Sequence, residues 1–132
     1  MVFERLDASL RARLFGDYPT SDGSCIRDNI HVADIADAHV AAARRLEQDT
    51  ATELVLNIGR SEGTSVLEML DVMGKVTGLY AIPAREPRRV GDSARVVASS
   101  ELIGRELGWH ARHNPTEMVA SAWAGWRLRH GS

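Results

Sequence analysis

The chain of 132 residues has a single cysteine, Cys25, and a single lysine, Lys75. One cysteine excludes an internal disulfide framework. The sequence has no apolar run of about 18 residues, the length that a membrane-spanning helix needs. No N-terminal stretch combines a basic start with an apolar core, as a secretion signal does, so we expect a cytoplasmic protein. The net charge of -2 gives no general attraction to nucleic acid or to an anionic membrane surface.

Two features of dinucleotide-dependent enzymes are also missing from the sequence. There is no G-x-G-x-x-G turn, because Gly59 and Gly63 have the wrong spacing and precede a helix cap. Neither Tyr18 nor Tyr80 has a lysine four residues later, so a catalytic tyrosine and lysine pair cannot form. The sequence therefore contains no phosphate-cradling turn of that kind and no such pair.

Histidine and carboxylate pairs give no recognisable metal site. His31 with Asp34, or His110 with His113, would supply two ligands each. Neither pair has a third ligand at a spacing typical of zinc sites. We predict structural or surface roles for these four side chains and no bound metal.

Hydrophobic periodicity and capping residues predict about five helices. The clearest signals are the capping box of Ser65 and Glu68 with Gly78 as C-cap, and Asn114 followed by Pro115 at the next helix start. The predicted helices are residues 4–14, a helix capped by Asp34, one from Ser65 to Gly78, one from Ser100 to Leu107, and one after Asn114.

Short apolar runs predict strands at 53–58, 80–82 and 95–98. The run at 53–58 is nearly continuous and ends at Gly59, which is typical of a strand covered on both faces in a parallel sheet. Helices alternating with short strands predict a mixed α/β fold.

The loop "IPAREPRRVGD" is the densest charged cluster, with Arg85, Arg88 and Arg89 preceding Gly91 and Asp92. A guanidinium fits phosphate in a bidentate manner, and a glycine lets the backbone turn sharply. An arginine followed three residues later by an aspartate suits a nucleoside diphosphate, the cation meeting phosphate and the carboxylate meeting ribose hydroxyls. The alternative is a solvated loop without a ligand.

Four separated motifs carry a family resemblance: "DYPTSDGSCIRDNIHVADIADAH", "LNIGRSEGTSVLEML", "PRRVGDSARVVA" and "ELGW". In this order and with these gaps, they resemble the C-terminal portion of UDP-glucose 4-epimerases, which are extended short-chain dehydrogenase/reductases. The resemblance implies that residues 1–132 form one C-terminal UDP-sugar-binding region, with short strands completing part of a Rossmann sheet. The NAD-binding Rossmann domain, with its glycine turn and catalytic tyrosine and lysine, would be absent from this chain. The resemblance therefore implies that this chain alone binds no NAD and contributes no catalytic residue.

The resemblance also implies roles for individual residues. The diphosphate-binding arginine of the family falls on Arg27, and the second arginine and the aspartate of "PRR-x-GD" fall on Arg89 and Asp92. The stretch along the uracil falls on Leu14 and Phe15.

Val96 falls where the family has a residue that faces the sugar. A bulky tyrosine there restricts room for an N-acetyl group, so valine implies acceptance of N-acetylated sugars. The alternative for Val96 is a β-branched strand residue in the core.

The implied reaction uses NAD to remove hydride from C4 of a UDP-sugar and to return it to the other face. Two alternatives stay open. One is a fragment of another NAD-dependent nucleotide-sugar dehydratase or decarboxylase, and the other is a noncatalytic remnant that binds a nucleotide or a protein. If the sheet is incomplete, its open strand edges predict self-association, for example as a homodimer.

Overall fold

Four helices supply most of the regular structure in the computed structural model, which describes residues 13–51 and 53–131. They are α1 (Val32–Gln48), α2 (Val66–Thr77), α3 (Glu101–Leu107) and α4 (Pro115–His130). The capping boxes predicted for α2 and α4 are present, with Ser65 and Asn114 as N-caps. Gly78 and Gly108 end α2 and α3 in the left-handed conformation, as expected for glycine C-caps.

The start of α1 differs from the prediction. Asp34 was expected as the cap, but the helix begins at Val32 and His31 is the N-cap. The backbone N–H of Ala33 donates to Nδ1 of His31 at 2.9 Å. Asp34 lies inside the first turn and is fully buried, and its carboxylate contacts His113 instead of capping the helix.

Five strands of two or three residues form two small sheets in the described part of the chain. They are β1 (Arg13–Phe15), β2 (Ile26–Arg27), β3 (Thr64–Ser65), β4 (Ala84–Glu86) and β5 (Arg95–Val96). β1 pairs with β4 in parallel, while β2 lies between β3, which is antiparallel to it, and β5, which is parallel. The mixed α/β fold is confirmed, and its sheets are small.

Two of the predicted strands are wrong, and one predicted helix is contradicted at its last two residues. Residues 13 and 14, expected at the end of a helix, lie in β1, and the rest of that predicted helix, residues 4–12, lies outside the described residues. Residues 80–82 form no strand, and the Tyr80 ring packs on Gly74 of α2, where an added Cβ would lie 2.5 Å from it. Pairing with β1 begins only at Ala84.

The predicted strand at 53–58 is also wrong as a strand. The segment alternates like one, since Leu56 and Ile58 pack against the core while Val55 is 92% exposed. It belongs to no ladder formed by residues 13–51 and 53–131. A strand is defined by its hydrogen-bonded neighbour, and among the described residues this segment has none.

Two apolar clusters hold the helices together. The first joins α2 to α4 around Val119 and Trp126, and it includes Met69, Met73, Val76 and Trp123. The second joins α1 to α3 around Ala38, Ile103 and Trp109. No helix of the described ranges combines the length and the apolar character needed to cross a membrane.

Candidate functional site

Arg27 lies at the end of β2, where three contacts fix its guanidinium. Nη2 donates to Oδ1 of Asp92 at 2.7 Å, and Nη1 donates to the carbonyl oxygens of Ser93 at 2.9 Å and Ile26 at 2.8 Å. The parallel register of β2 and β5 places Arg27 opposite Val96 and so brings the 92–96 segment alongside. Arg27 is held in one orientation while its side chain stays 30% exposed.

The turn before β5 brings Arg89 and Asp92 to the same side. The backbone N–H of Asp92 donates to the Arg89 carbonyl at 3.2 Å, and Gly91 adopts a φ of 80°. That conformation suits glycine, because a side chain there would be strained. Nε of Arg89 lies 3.9 Å from Oδ2 of Asp92, and the Arg89 side chain is 66% exposed.

Tyr18 completes the surroundings of Asp92. Its phenolic hydroxyl donates to Oδ2 of Asp92 at 2.7 Å, and the residue is only 4% exposed. This hydrogen bond, together with attraction to Arg27 and Arg89, lowers the pKa of Asp92, although burial opposes it. The same hydrogen bond raises the pKa of Tyr18. Asp92 is therefore an ionised carboxylate held between a cation and a hydroxyl.

Phe15 reaches the site through Arg89. The Arg89 guanidinium carbon lies 4.2 Å from the centre of the Phe15 ring, within cation–π distance. Leu14, by contrast, is 1% exposed and pairs with Arg85 across β1 and β4, so this structure buries it and does not present it to a ligand. Val96 is 53% exposed beside Arg27, and the alternative that it is a core residue is wrong.

The turn that carries Tyr18 is tied to the start of α2. Oδ1 of Asp22 accepts from the backbone N–H and the hydroxyl of Ser24, at 2.8 and 2.7 Å, and Oδ2 accepts from the Ser65 hydroxyl. Ser24 is fully buried and accepts from the Leu67 backbone N–H at 3.2 Å. Burial acts to raise the pKa of Asp22, but the hydrogen bonds from Ser65 and Ser24 outweigh it and the pKa is lowered.

Asp28, the residue after Arg27, fixes a second turn. Its carboxylate accepts from the backbone N–H groups of Arg60 at 3.0 Å and Ser61 at 3.2 Å. A Cβ on Gly59 would lie 2.5 Å from Oδ2 of Asp28, so glycine is required for this close approach. The two neighbours thus have different tasks, Arg27 toward Asp92 and Asp28 toward the 59–61 turn.

Two of the three histidines considered as metal ligands, His31 and His113, lie together in a cluster of stacked rings and hydrogen bonds. His31 and His113 stack with ring centres 4.3 Å apart, and Nδ1 of His113 lies 2.8 Å from Oδ1 of Asp34. Because Nδ1 of His31 accepts a hydrogen bond from the Ala33 backbone N–H, Nε2 carries the ring proton and donates to Ser121 Oγ at 2.8 Å. These contacts join the start of α1 to α4, and within residues 13–51 and 53–131 no three such side chains are placed to share a metal ion.

Sequence reasoning found Arg27, Arg89 and Asp92, which the fold brings together, but it missed Tyr18 as a partner of Asp92. The two residues lie 74 positions apart. The only signal for Tyr18 was its place in the "DYPT" motif, and nothing in the local spacing links it to Asp92.

Searched against known protein families, the chain matches no family model. It is 46% identical over 113 residues to a bifunctional UDP-glucose 4-epimerase and UDP-xylose 4-epimerase from Arabidopsis thaliana, covering 83% of this chain and 32% of that protein. It is also 46% identical over 123 residues to a UDP-glucose 4-epimerase from Halalkalibacterium halodurans, covering 91% of this chain and 36% of that protein. The chain thus spans about a third of the length of the curated relatives it matches.

Solved structures agree with these relatives. A UDP-glucose 4-epimerase from Stenotrophomonas maltophila, with bound NAD and formylated UDP-arabinopyranose, superposes with a TM-score of 0.89 at 41% identity, covering 96% of this chain and 38% of that one. The enzyme from Bifidobacterium longum, in complex with NAD+ and UDP, gives a TM-score of 0.85 at 36% identity, covering 98% of this chain and 38% of that one. By sequence and by fold, the chain belongs with the UDP-glucose 4-epimerases, of which it matches a C-terminal portion.

Proposed function

We propose that this chain is the nucleotide-sugar-binding portion of a UDP-glucose 4-epimerase-type isomerase. Arg27 and Arg89 hold the diphosphate of a UDP-sugar, and Asp92 accepts from the ribose hydroxyls. The observation that carries this proposal is the 2.7 Å ion pair of Arg27 and Asp92 with Arg89 beside it. Two cations and one ionised carboxylate in one place match the two chemical parts of a nucleoside diphosphate.

Arg27 has N–H donors that are available to a phosphate. A guanidinium has five N–H donors, and Arg27 gives three hydrogen bonds to Ile26, Ser93 and Asp92. Its remaining donors, one on Nη2 and one on Nε, are adjacent and suit a bidentate contact with a phosphate. Because the other three are fixed by protein acceptors, the side chain loses little further freedom on binding.

Asp92 keeps acceptor capacity for a sugar hydroxyl. A carboxylate has about four lone-pair sites, and the hydrogen bonds from Arg27 and Tyr18 occupy one site on each oxygen. The lowered pKa keeps the group ionised at neutral pH. Arg89 has fewer fixed contacts than Arg27, since its side chain is two-thirds exposed and touches only Phe15 and the edge of Asp92 among the contacts described.

NAD does not fit the residues of this chain. The sequence lacks a glycine-rich dinucleotide turn and a tyrosine and lysine pair of the required spacing. We therefore assign no step of hydride transfer to these residues. Their role in the reaction is to bind and position the nucleotide, whose binding energy orients the sugar at the cofactor.

Calorimetric titration with UDP-glucose tests the proposal on the chain as it stands. Arg27→Ala and Arg89→Ala should each weaken binding about tenfold to a hundredfold, since a hydrogen bond to a charged group contributes roughly 1.5 to 3 kcal/mol. Arg85→Ala, an exposed arginine of β4, is the control for general charge. An equal loss in all three variants would contradict the site, and no binding by the unmodified chain would contradict the proposed function.

A further inference from the structure

Tyr18 is a buried polar side chain that the proposed binding contacts do not use. It is 4% exposed, yet its hydroxyl lies 2.7 Å from Oδ2 of Asp92, on the oxygen that Arg27 does not hold. Arg27 and Tyr18 therefore each donate a hydrogen bond to a different oxygen of the Asp92 carboxylate. With both oxygens tied, the carboxylate cannot rotate about its terminal bond without losing a hydrogen bond.

We propose that Tyr18 is a positioning residue that orients Asp92 for a ribose hydroxyl and, through Asp92, keeps Arg27 aimed at the diphosphate. This inference rests on the proposed function. Tyr18 itself need not touch the ligand. A hydrogen bond from a buried phenol to a carboxylate is short and charge-assisted, so it holds direction as well as distance.

The backbone around Tyr18 makes it a rigid support. The Tyr18 N–H donates to the Gly23 carbonyl at 3.1 Å, and its carbonyl accepts from the Thr20 N–H at 2.8 Å. The hydroxyl of Thr20 donates to the Ser24 carbonyl at 2.7 Å. Through Ser24 and Asp22, this turn is tied to the N-cap of α2. Asp92 is thus oriented by a residue whose own position is set by a helix.

The hydrogen bond from Tyr18 matters because Arg89 could compete with Arg27 for Asp92. Among the described residues, the restraints on the Arg89 guanidinium are the 3.9 Å approach to Asp92 and the contact with the Phe15 ring. If Asp92 turned toward Arg89, a strong pair between these two would leave Arg27 without its partner. The Tyr18 hydroxyl occupies Oδ2, the oxygen nearest Arg89, and so favours the pairing of Asp92 with Arg27.

The test compares Tyr18→Phe, which removes only the hydroxyl, with Tyr80→Phe, which removes the hydroxyl of the other tyrosine. Tyr80 is 70% exposed and lies against α2, so its variant should bind UDP-glucose like the unmodified chain. Tyr18→Phe should weaken binding about three- to tenfold, the range of one net hydrogen bond. In an Asp92→Asn background, the same change should have little further effect, because the two residues act as a unit.

A carbon NMR titration measures the pKa of the Asp92 carboxyl group as its midpoint, and a loss of packing alone would not change this value. Tyr18→Phe should raise the midpoint, because the hydrogen bond that favours the ionised form is gone. An unchanged midpoint, or the same loss of binding with and without Asp92, would overturn the positioning role while leaving the proposed function standing. If the unmodified chain does not bind UDP-glucose, the proposed function fails, and the role of Tyr18 within it fails too.

Discussion

Arg27 and Asp92 lie 65 residues apart in the sequence, and their side chains meet at 2.7 Å. The parallel pairing of β2 with β5 and the turn at Gly91 create this contact. Neither residue alone distinguishes a ligand site from a solvated loop. Their meeting at one end of two short strands, with Arg89 adjacent, is what supports a nucleotide site.

The first prediction is that the purified chain neither epimerises UDP-galactose nor binds NAD. The sequence supplies no glycine-rich turn and no tyrosine with a lysine four residues later, so hydride and proton transfer have no groups to perform them. A coupled assay for UDP-glucose and a fluorescence titration with NADH measure the two properties. Turnover that persists after host epimerase has been removed would contradict the prediction.

The second prediction concerns acid stability and Asp34. Burial raises the pKa of this carboxyl group, but hydrogen bonds from His113 and Arg112 outweigh it, and the pKa is lowered. A lowered folded-state pKa gives stability that is present above the unfolded-state value and is lost as pH falls through the folded-state value. Asp34→Asn should therefore lower the free energy of unfolding by about 1.5 to 3 kcal/mol at neutral pH and flatten its decline in acid.

Asp37→Asn is the matched control for Asp34. Asp37 lies on the same helix and pairs with Arg112, but its side chain is 46% exposed. An exposed ion pair contributes about 0 to 1 kcal/mol, so this variant should change little. Urea unfolding from pH 7 down to about pH 2, a range that passes through the lowered folded-state pKa of Asp34, would measure both variants, and equal losses would contradict a special role for the buried carboxylate.

The third prediction is that the chain self-associates through the extended segment at 53–58. Val55 and Leu54 are exposed there, and the segment belongs to no ladder of the described residues. Unpaired extended edges with apolar side chains favour association. Val55→Lys should shift the chain toward monomer in sedimentation velocity experiments.

Val90→Lys controls for the loss of any exposed valine in that experiment. Val90 is fully exposed in the loop before Gly91 and lies away from the 53–58 segment in sequence. It should leave the sedimentation profile unchanged. A monomer at high concentration in the unmodified chain, or equal effects of the two variants, would rule out this surface.

The fourth prediction concerns the sugar and Val96. The residue is half exposed and pairs in register with Arg27, which fits a position that faces the ligand. A chimera that adds a complete N-terminal portion from a relative should accept N-acetylated sugars. Val96→Tyr in that chimera should depress turnover of UDP-N-acetylglucosamine much more than turnover of UDP-galactose. Equal effects on both sugars would refute a role in sugar size.

Local signals in the sequence predicted the helices well. Ser65 with Glu68, and Asn114 with Glu117, are capping boxes whose partners lie three residues apart, so the sequence contains both ends of each contact. The prediction that Asp34 caps α1 was wrong, because an aspartate near a helix start can serve either as the N-cap or as a buried hydrogen-bond acceptor for a distant residue. Its true partner, His113, lies 79 residues away.

Strands and side-chain partners were harder to predict because they depend on distant parts of the chain. Residues 53–58 have the pattern of a strand, but a pattern cannot supply the neighbouring strand that would pair with them. Tyr18 and Asp92 likewise meet only after folding. Family resemblance overcame this limit for Arg27, Arg89 and Asp92, because it transferred three positions at once in a fixed order.

The most direct test of the site is an NMR titration of the isotope-labelled chain with UDP-glucose, following backbone amides and arginine Nε signals. We expect the largest shifts at Arg27, Arg89 and the backbone from Gly91 to Val96. Arg27→Ala should also suppress the UDP-glucose-induced shifts at Arg89 and Asp92, since these residues share one ligand. Shifts confined to other surfaces, such as the apolar segment at 53–58, would contradict the account.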